Sequence, residues 1–515
     1  MRGIDWGVLS VYFAVMLAVG AWARARVKTA SDFFSAGGAM PWWLSGISHH
    51  MSGYSSAVFV AYAGIAYSSG ITIYFWWACS ISLGLLIGSG LFPPRWVRLR
   101  EQLKIVSPLE YLQIRYDRRT HQLLAWSGVG LKVLDVGAKW TAAGILLEVF
   151  ANVPLAWGVL LTGSVTLFYS IAGGLWADAL TDLSQFIIQV LSGCAMLIAV
   201  LAKLGGISAL WTVWSQLPPG HSRPFTGQYT VMFACVYLIS NTLSYNGGTW
   251  SLAQRFIATP TARDARKAAF LSSALYATWP LVLFFPMWVA PLIIPHTSDP
   301  SRSYALLACG LLPQGLLGLV LAGLFAHTMA MTSSDANAIS AVVVRDILPA
   351  LRRKRGGLSE KRQLLAGRIC TFVFLALSMV IALMADRFGG VIGLLLLWFG
   401  ALGGPTTVPM MLGMLGFCRR SGPEAAIASW IGGVATFALL KMLVAAHSGL
   451  IPDRFTTTIT VGAPLLVSLA LFAAISLLRP SANARADVFL DAISRNPRGP
   501  VGRSYSASGV TEDLA

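Results

Sequence analysis

The chain has 515 residues, 56% of them hydrophobic and 11% charged, a balance that excludes a water-soluble protein of ordinary composition. A net charge of +17 would suggest nucleic acid in a soluble protein, but here the basic residues gather in alternate loops between apolar stretches, which points to a membrane and to no nucleic-acid partner. The six cysteines (Cys79, Cys194, Cys235, Cys309, Cys370, Cys418) lie mostly in or beside those stretches without close pairing, so neither a disulfide framework nor a zinc site is expected.

Stretches of mainly apolar residues long enough to cross a hydrocarbon core of roughly 30 Å as helices predict thirteen spans. They lie near 5–23, 41–66, 72–92, 122–150, 154–175, 182–204, 229–254, 268–293, 313–344, 366–385, 388–417, 425–446 and 457–478. The first runs into Arg24, Arg26 and Lys28 with no small-residue cleavage site, and is read as an anchor. Basic residues cluster at 95–104, 115–119, 255–267, 345–368, 419–420 and beyond 479, whereas the intervening loops carry chiefly Arg223, Arg302, Arg387 and Arg454. The positive-inside rule then predicts a multi-pass protein of the plasma or inner membrane with its N-terminus outside and its C-terminus in the cytoplasm. Residues 1–480 read as a single transmembrane domain, and the Ser-, Arg-, Pro- and Gly-rich residues 481–515 as a disordered cytoplasmic tail.

Two spans carry a polar interruption at mid-membrane depth: residues 48–56, containing His49, His50, Met51, Tyr54 and Ser55, and residues 240–248, containing Asn241 and Tyr245. Their starts are five spans apart, so 41–204 and 229–417 read as two repeats, each led by a discontinuous helix. Matching breaks in two halves are the sequence sign of an inverted-repeat transporter, in which unwound backbone lines a cavity for a solute or ion. In the fourth span Lys132, Asp135 and Lys139 fall on one helical face, so Asp135 is expected to pair with a lysine. A neutralised packing cluster is the preferred reading, with an ion relay as the functional one. Asp335 is a further buried acid, open between pairing with a cytoplasmic arginine and protonation. No acid–base pair, metal-ligand cluster or phosphate loop is evident, so neither an enzyme nor a cofactor is expected.

Four stretches resemble the sodium/solute symporter family. They are Ser31-Asp32-Phe33-Phe34 through Pro41 to Gly46, Tyr169 to Ala177 followed by Thr181-Asp182, Gln254 to Ala258 followed by Ala265-Arg266-Lys267, and Asn337 to Ser340 followed by Arg345-Asp346-Ile347. The resemblance implies an all-α membrane protein of the leucine-transporter type, a core of ten helices in two inverted repeats with one extra helix before and two after. It implies secondary active transport of a small organic solute by alternating access, with sodium as the expected coupling ion. A proton-coupled or uncoupled carrier, or a solute sensor that does not transport, are the alternatives. The lipid bilayer is the expected surrounding and no obligatory protein partner is evident.

Carried onto this chain, the family's sodium site would take backbone oxygens from Met51, Tyr54 and His327 and hydroxyls from positions 330 and 331, which here are Ala330 and Met331. A hard cation wants oxygen ligands, and neither side chain has one. Ser334, one turn on, is the hydroxyl that a shifted site would recruit. His49, His50 and His327 fall in the same two helices, which keeps protons open as the coupling ion. Ser55 and Asn241 are further solute candidates, and the resemblance gives Asp182 a place on the inner cation path and Tyr245 that of an inner-gate aromatic. Helix capping by Asp182 and plain packing by Tyr245 and the histidines are equally open. In sugar-carrying members polar side chains follow the first break, where this chain has Ala57 and Val58, which disfavours a sugar.

Overall fold

A computed structural model describes residues 1–494 except 25, 26, 28, 352–358, 399–402 and 447–450. Expectations that fall on Arg26, Lys28, the centre of the basic loop after 345, the middle of the eleventh span and residues 495–515 lie outside the described residues. Every described element longer than an isolated bridge is helical, and each of the thirteen predicted stretches is occupied by a helix, continuous or broken. With no water to satisfy backbone groups, an apolar stretch has to bond its N–H and C=O groups internally. Among the described residues, seven helices are by themselves long and apolar enough to cross a membrane. Two further pairs qualify as bent units: Tyr74–Gly88 with Pro93–Leu103, bent by 50°, and Arg118–Ala151 with Leu155–Ile171, bent by 117°. The second bend has a local cause. Asn152 adopts the left-handed conformation (φ 54°) and Pro154 precedes the next helix, the usual way to stop one helix and restart another.

Leu316–Leu351 is the central helix, with 83% of its most apolar window buried by protein, against 22% for Pro423–Val444 at the periphery. It packs on Arg118–Ala151, on Glu360–Leu383 and on the long segment Leu155–Lys203. That last segment is two helices meeting at Gly174 (φ 52°, ψ −146°), where an added Cβ would lie 2.4 Å from the Phe33 carbonyl oxygen. Only glycine adopts this conformation without strain. Gly174→Ala should therefore lower stability by about 1–3 kcal/mol from backbone strain alone, with the clash in addition. Thermal unfolding in detergent checks this against Gly130→Ala, where a Cβ meets nothing within 4 Å.

The motifs behind the resemblance meet here. Asn337 Nδ2 donates to the Phe33 carbonyl (3.0 Å), and Gln254 Nε2 donates to the Phe34 carbonyl (3.1 Å) and to Asn337 Oδ1 (3.2 Å).

Two expectations are corrected. The tail is not structureless from 481: Ala484–Ile493 is a helix whose Ala486, Phe489, Leu490 and Ile493 form one buried stripe at helical spacing. Phe489 stacks on Tyr111 (5.6 Å), Arg419 pairs with Asp487 (3.2 Å) and Asp491, and Arg98 donates to the Ile493 carbonyl (2.9 Å). Average composition hides a stripe this short. Arg255, counted above with a cytoplasmic loop, is wholly buried.

Candidate functional site

The first broken helix runs as Trp42–Met51, an irregular stretch through Ser55 in extended conformation (φ −128°, ψ −176°), a short turn Ser56–Phe59, and Ala61–Ser69. The second runs as Val231–Leu243, a wide turn Ser244–Gly248 and, after Thr249 in extended conformation, Trp250–Ile257. Gly247 makes the second break: its φ of 127° is open to glycine, and a Cβ there would meet the Trp96 indole at 2.2 Å.

The two breaks clasp each other. Tyr245 of the second donates its hydroxyl to the Gly53 carbonyl of the first (2.8 Å), and His49 of the first donates Nε2–H to the Tyr245 carbonyl (2.9 Å). Its Nδ1 then accepts from Ser272 (2.7 Å), which is the hydrogen-bond pattern of a neutral imidazole. Between the breaks lies a cavity of about 90 Å³ reached by Tyr54, Ser55, Asn241, Tyr245, Trp250 and Met331.

Of the other predicted residues, Asn241 donates to Ser80 (2.7 Å), and Ser55 accepts from the Ala57 N–H (3.3 Å). The Tyr54 hydroxyl accepts from Gln189 (2.7 Å) and donates to His50 Nε2 (3.1 Å). The His327 ring lies 4.6 Å from Tyr54 and 5.1 Å from Phe59, wedged between the two helices that would form the sodium site. His50 and His327 also reach this aromatic packing but do not line the cavity.

Lys132, Asp135 and Lys139 do line it, and they are joined by a partner the sequence left open. Among the described residues Asp335 is paired with these lysines and with no cytoplasmic arginine: Lys139 Nζ lies 2.8 Å from Asp135 and 2.6 Å from Asp335, and Lys132 Nζ 2.6 Å and 3.2 Å from the same two acids. Lys132 also sits over the Trp398 ring (3.9 Å), and Ser251 of the second broken helix donates to Asp335 (2.9 Å). Two cations and two anions cancel, so the low-polarity surroundings tolerate them.

The cation site implied by the resemblance does not fit at its hydroxyl positions. Ala330 is fully buried with only a methyl group to offer, and Met331 presents a thioether to the cavity. The Ser333 and Ser334 hydroxyls each lie between the Ala330 carbonyl (3.1 Å and 2.7 Å) and Asp178, sharing a single proton between the two acceptors. Around them gathers a second charged node. The Arg255 guanidinium pairs with Asp178 and, at 3.4 Å, with Asp182, and donates to Ser48 (2.8 Å), Ser52 (3.0 Å) and Ser334. Ser48 donates to Asp182 (2.5 Å). Asp182 therefore lies fully buried in an ion-pair node, not as a cap on a helix end. Asp178 and Arg255 are site residues that sequence reasoning missed. Two acids four residues apart on one face of an apolar helix were the available signal, since such a pair demands a cation from elsewhere.

Comparison with known proteins agrees with this architecture. The sodium/sialic acid symporter of Proteus mirabilis is 26% identical over 447 residues, 82% of this chain and 86% of that one. The sodium/glucose cotransporter of Vibrio parahaemolyticus is 23% identical over 474 residues, 85% of each chain. Among solved structures, a Na+-coupled sialic acid symporter in a substrate-bound outward-open state superposes with a TM-score of 0.78 at 22% identity, covering 94% of this chain and 99% of that one. Mhp1, a nucleobase-cation-symport-1 family transporter in a closed conformation, gives 0.51 at 13% identity, covering 89% and 98%. These likenesses show the leucine-transporter type of fold. The profile of the sodium:solute symporter family matches residues 33–433, most of the chain and all of both breaks, and the chain belongs to that family of membrane transporters.

Proposed function

We propose that this protein moves a small organic solute across the membrane by alternating access around the cavity between its two breaks, and that sodium is the coupling ion. The two repeats, 41–204 and 229–417, are the units proposed to move, and the alternation of basic loops supports an N-terminus outside and a C-terminus in the cytoplasm. One observation carries the choice of ion. The oxygens missing at Ala330 and Met331 reappear one turn along the same helix, where Ser333 and Ser334 converge on Asp178, beside the Ser52 hydroxyl. A carboxylate, hydroxyls and a carbonyl form the donor set a hard monovalent cation accepts.

Arg255 holds its own positive charge at these oxygens, so the guanidinium and a sodium ion compete for them. Sodium binding would then release Arg255 toward Asp182 and shift Trp250–Ile257, the half-helix that carries it, which ties ion binding to the second break. Measuring thermal stabilisation by sodium against potassium at equal ionic strength tests this. The wild type should be stabilised by sodium, and Ser333→Ala combined with Ser334→Ala should weaken the apparent sodium affinity about tenfold or more, the worth of one or two ion–dipole bonds. Undiminished sodium affinity in that variant would remove the ion from this place. A wild type blind to sodium, with solute uptake that follows a pH gradient and changes in His327→Ala, would make the proton the coupling ion.

A further inference from the structure

The cavity's own charges say more about the solute. Lys132, Asp135 and Lys139 are the charged side chains among its lining residues, and with Asp335 behind them their formal charges sum to zero. A solute with a net charge would leave that charge uncompensated in a site of low polarity, whereas a net-neutral one would not. The four groups differ in what they have left to offer. Asp335 is saturated: Oδ2 takes the two lysines and Oδ1 takes Ser251. Asp135 is not. Both lysines bond its Oδ2, and among the described residues nothing donates to Oδ1, although the side chain is only 2% exposed. A nearly buried carboxylate oxygen without a donor, on a residue that lines a cavity, is an acceptor for a cationic group on whatever fills that cavity.

The complementary donors stand at the first break. Tyr54 and Ser55 line the same cavity, and their backbone N–H groups donate to no acceptor among the described residues. Unwound N–H groups with no partner are acceptor-seeking sites suited to an anionic oxygen pair. Ala57 and Val58, also lining the cavity, offer nothing to a ring of hydroxyls. Trp77 meets Tyr54 and Tyr62 edge to face, with centroids 5.7 and 5.5 Å apart, and all three line the cavity with π surface that also suits an alkylated ammonium.

We propose that the solute is a small zwitterion, its cationic nitrogen paired with Asp135 Oδ1 and its carboxylate bonded to the N–H groups of Tyr54 and Ser55. This rests on the transport reading above and departs from the solutes named for the relatives. The test uses the full chain in proteoliposomes under sodium and proton gradients, with uptake and competition measured for L-alanine, L-proline and glycine betaine. Matched single-charge analogues (propionate, isobutylamine), glucose and N-acetylneuraminate form the comparison set. At least one zwitterion should be accumulated, its alkylation state telling a primary amine from an imino acid or a quaternary ammonium, and the single-charge analogues should compete about 100-fold less well. Asp135→Asn, checked for folding by its thermal transition, should lose about 100-fold in zwitterion affinity. Accumulation of glucose, N-acetylneuraminate or a single-charge analogue with none of any zwitterion would overturn the assignment while leaving transport intact. Failure to accumulate any solute under either gradient would defeat the transport reading itself, and this proposal with it.

Discussion

Arg255→Met is expected to abolish transport and to leave the protein dependent on sodium for its stability. In the wild type the guanidinium is fully buried and compensates Asp178 and Asp182, both buried themselves. Removing one partner of such a node strands the opposite charges, at a cost of about 3–5 kcal/mol. If the oxygens around Arg255 are the ones sodium uses, the ion replaces the missing charge. The gap between thermal transitions in sodium and in potassium should then be several degrees wider in Arg255→Met than in the wild type. Arg255→Lys should fall between the two, because an ammonium restores charge but cannot fork between Asp178, Ser48 and Ser52 at once. A variant as stable as the wild type in potassium would show that the node contributes nothing to folding.

The second large effect concerns the charge quartet. Lys139→Met leaves Asp135 and Asp335 sharing Lys132, a net negative charge in a buried site, and Asp335→Asn leaves a net positive one. Each single change is expected to cost about 3–5 kcal/mol. Combining them restores neutrality and keeps the Lys132–Asp135 pair, so the double variant should cost less than the two single changes summed, with a coupling of about 1–3 kcal/mol. Equilibrium unfolding of the four proteins completes the cycle. Strict additivity would mean that the two residues do not compensate each other.

How much of this was legible beforehand follows from the range of the forces involved. Helix positions were, because the length of an apolar run in a bilayer is a local quantity. The two breaks were, because Gly53 and Gly247 are flanked by serines and an asparagine that cannot sit in an unbroken lipid-facing helix without cost. The ion-pair partners were not. Lys139 and Asp335 are 196 residues apart, and Arg255 and Asp178 are 77 apart. A rule based on loop charge places Arg255 in the cytoplasm because it sits at the end of an apolar stretch among other basic residues. Its burial is decided by acids on a different helix. The tail shows the opposite error, since a polar average concealed a ten-residue stripe that gains its stability by docking on Tyr111 and Arg419.

By itself, then, the sequence determined a membrane-embedded helical chain, the places where two of its helices unwind, and the loss of hydroxyls at Ala330 and Met331, all properties of residues within a turn or two of each other. The tertiary structure alone decided which charges neutralise which, that the Ser333 and Ser334 hydroxyls gather at Asp178, and which acceptor, Asp135 Oδ1, is left without a donor among the described residues. Coulomb and hydrogen-bond energies in a low-polarity interior depend on distances of a few ångströms between groups far apart in the chain, and those distances exist only once the helices have packed.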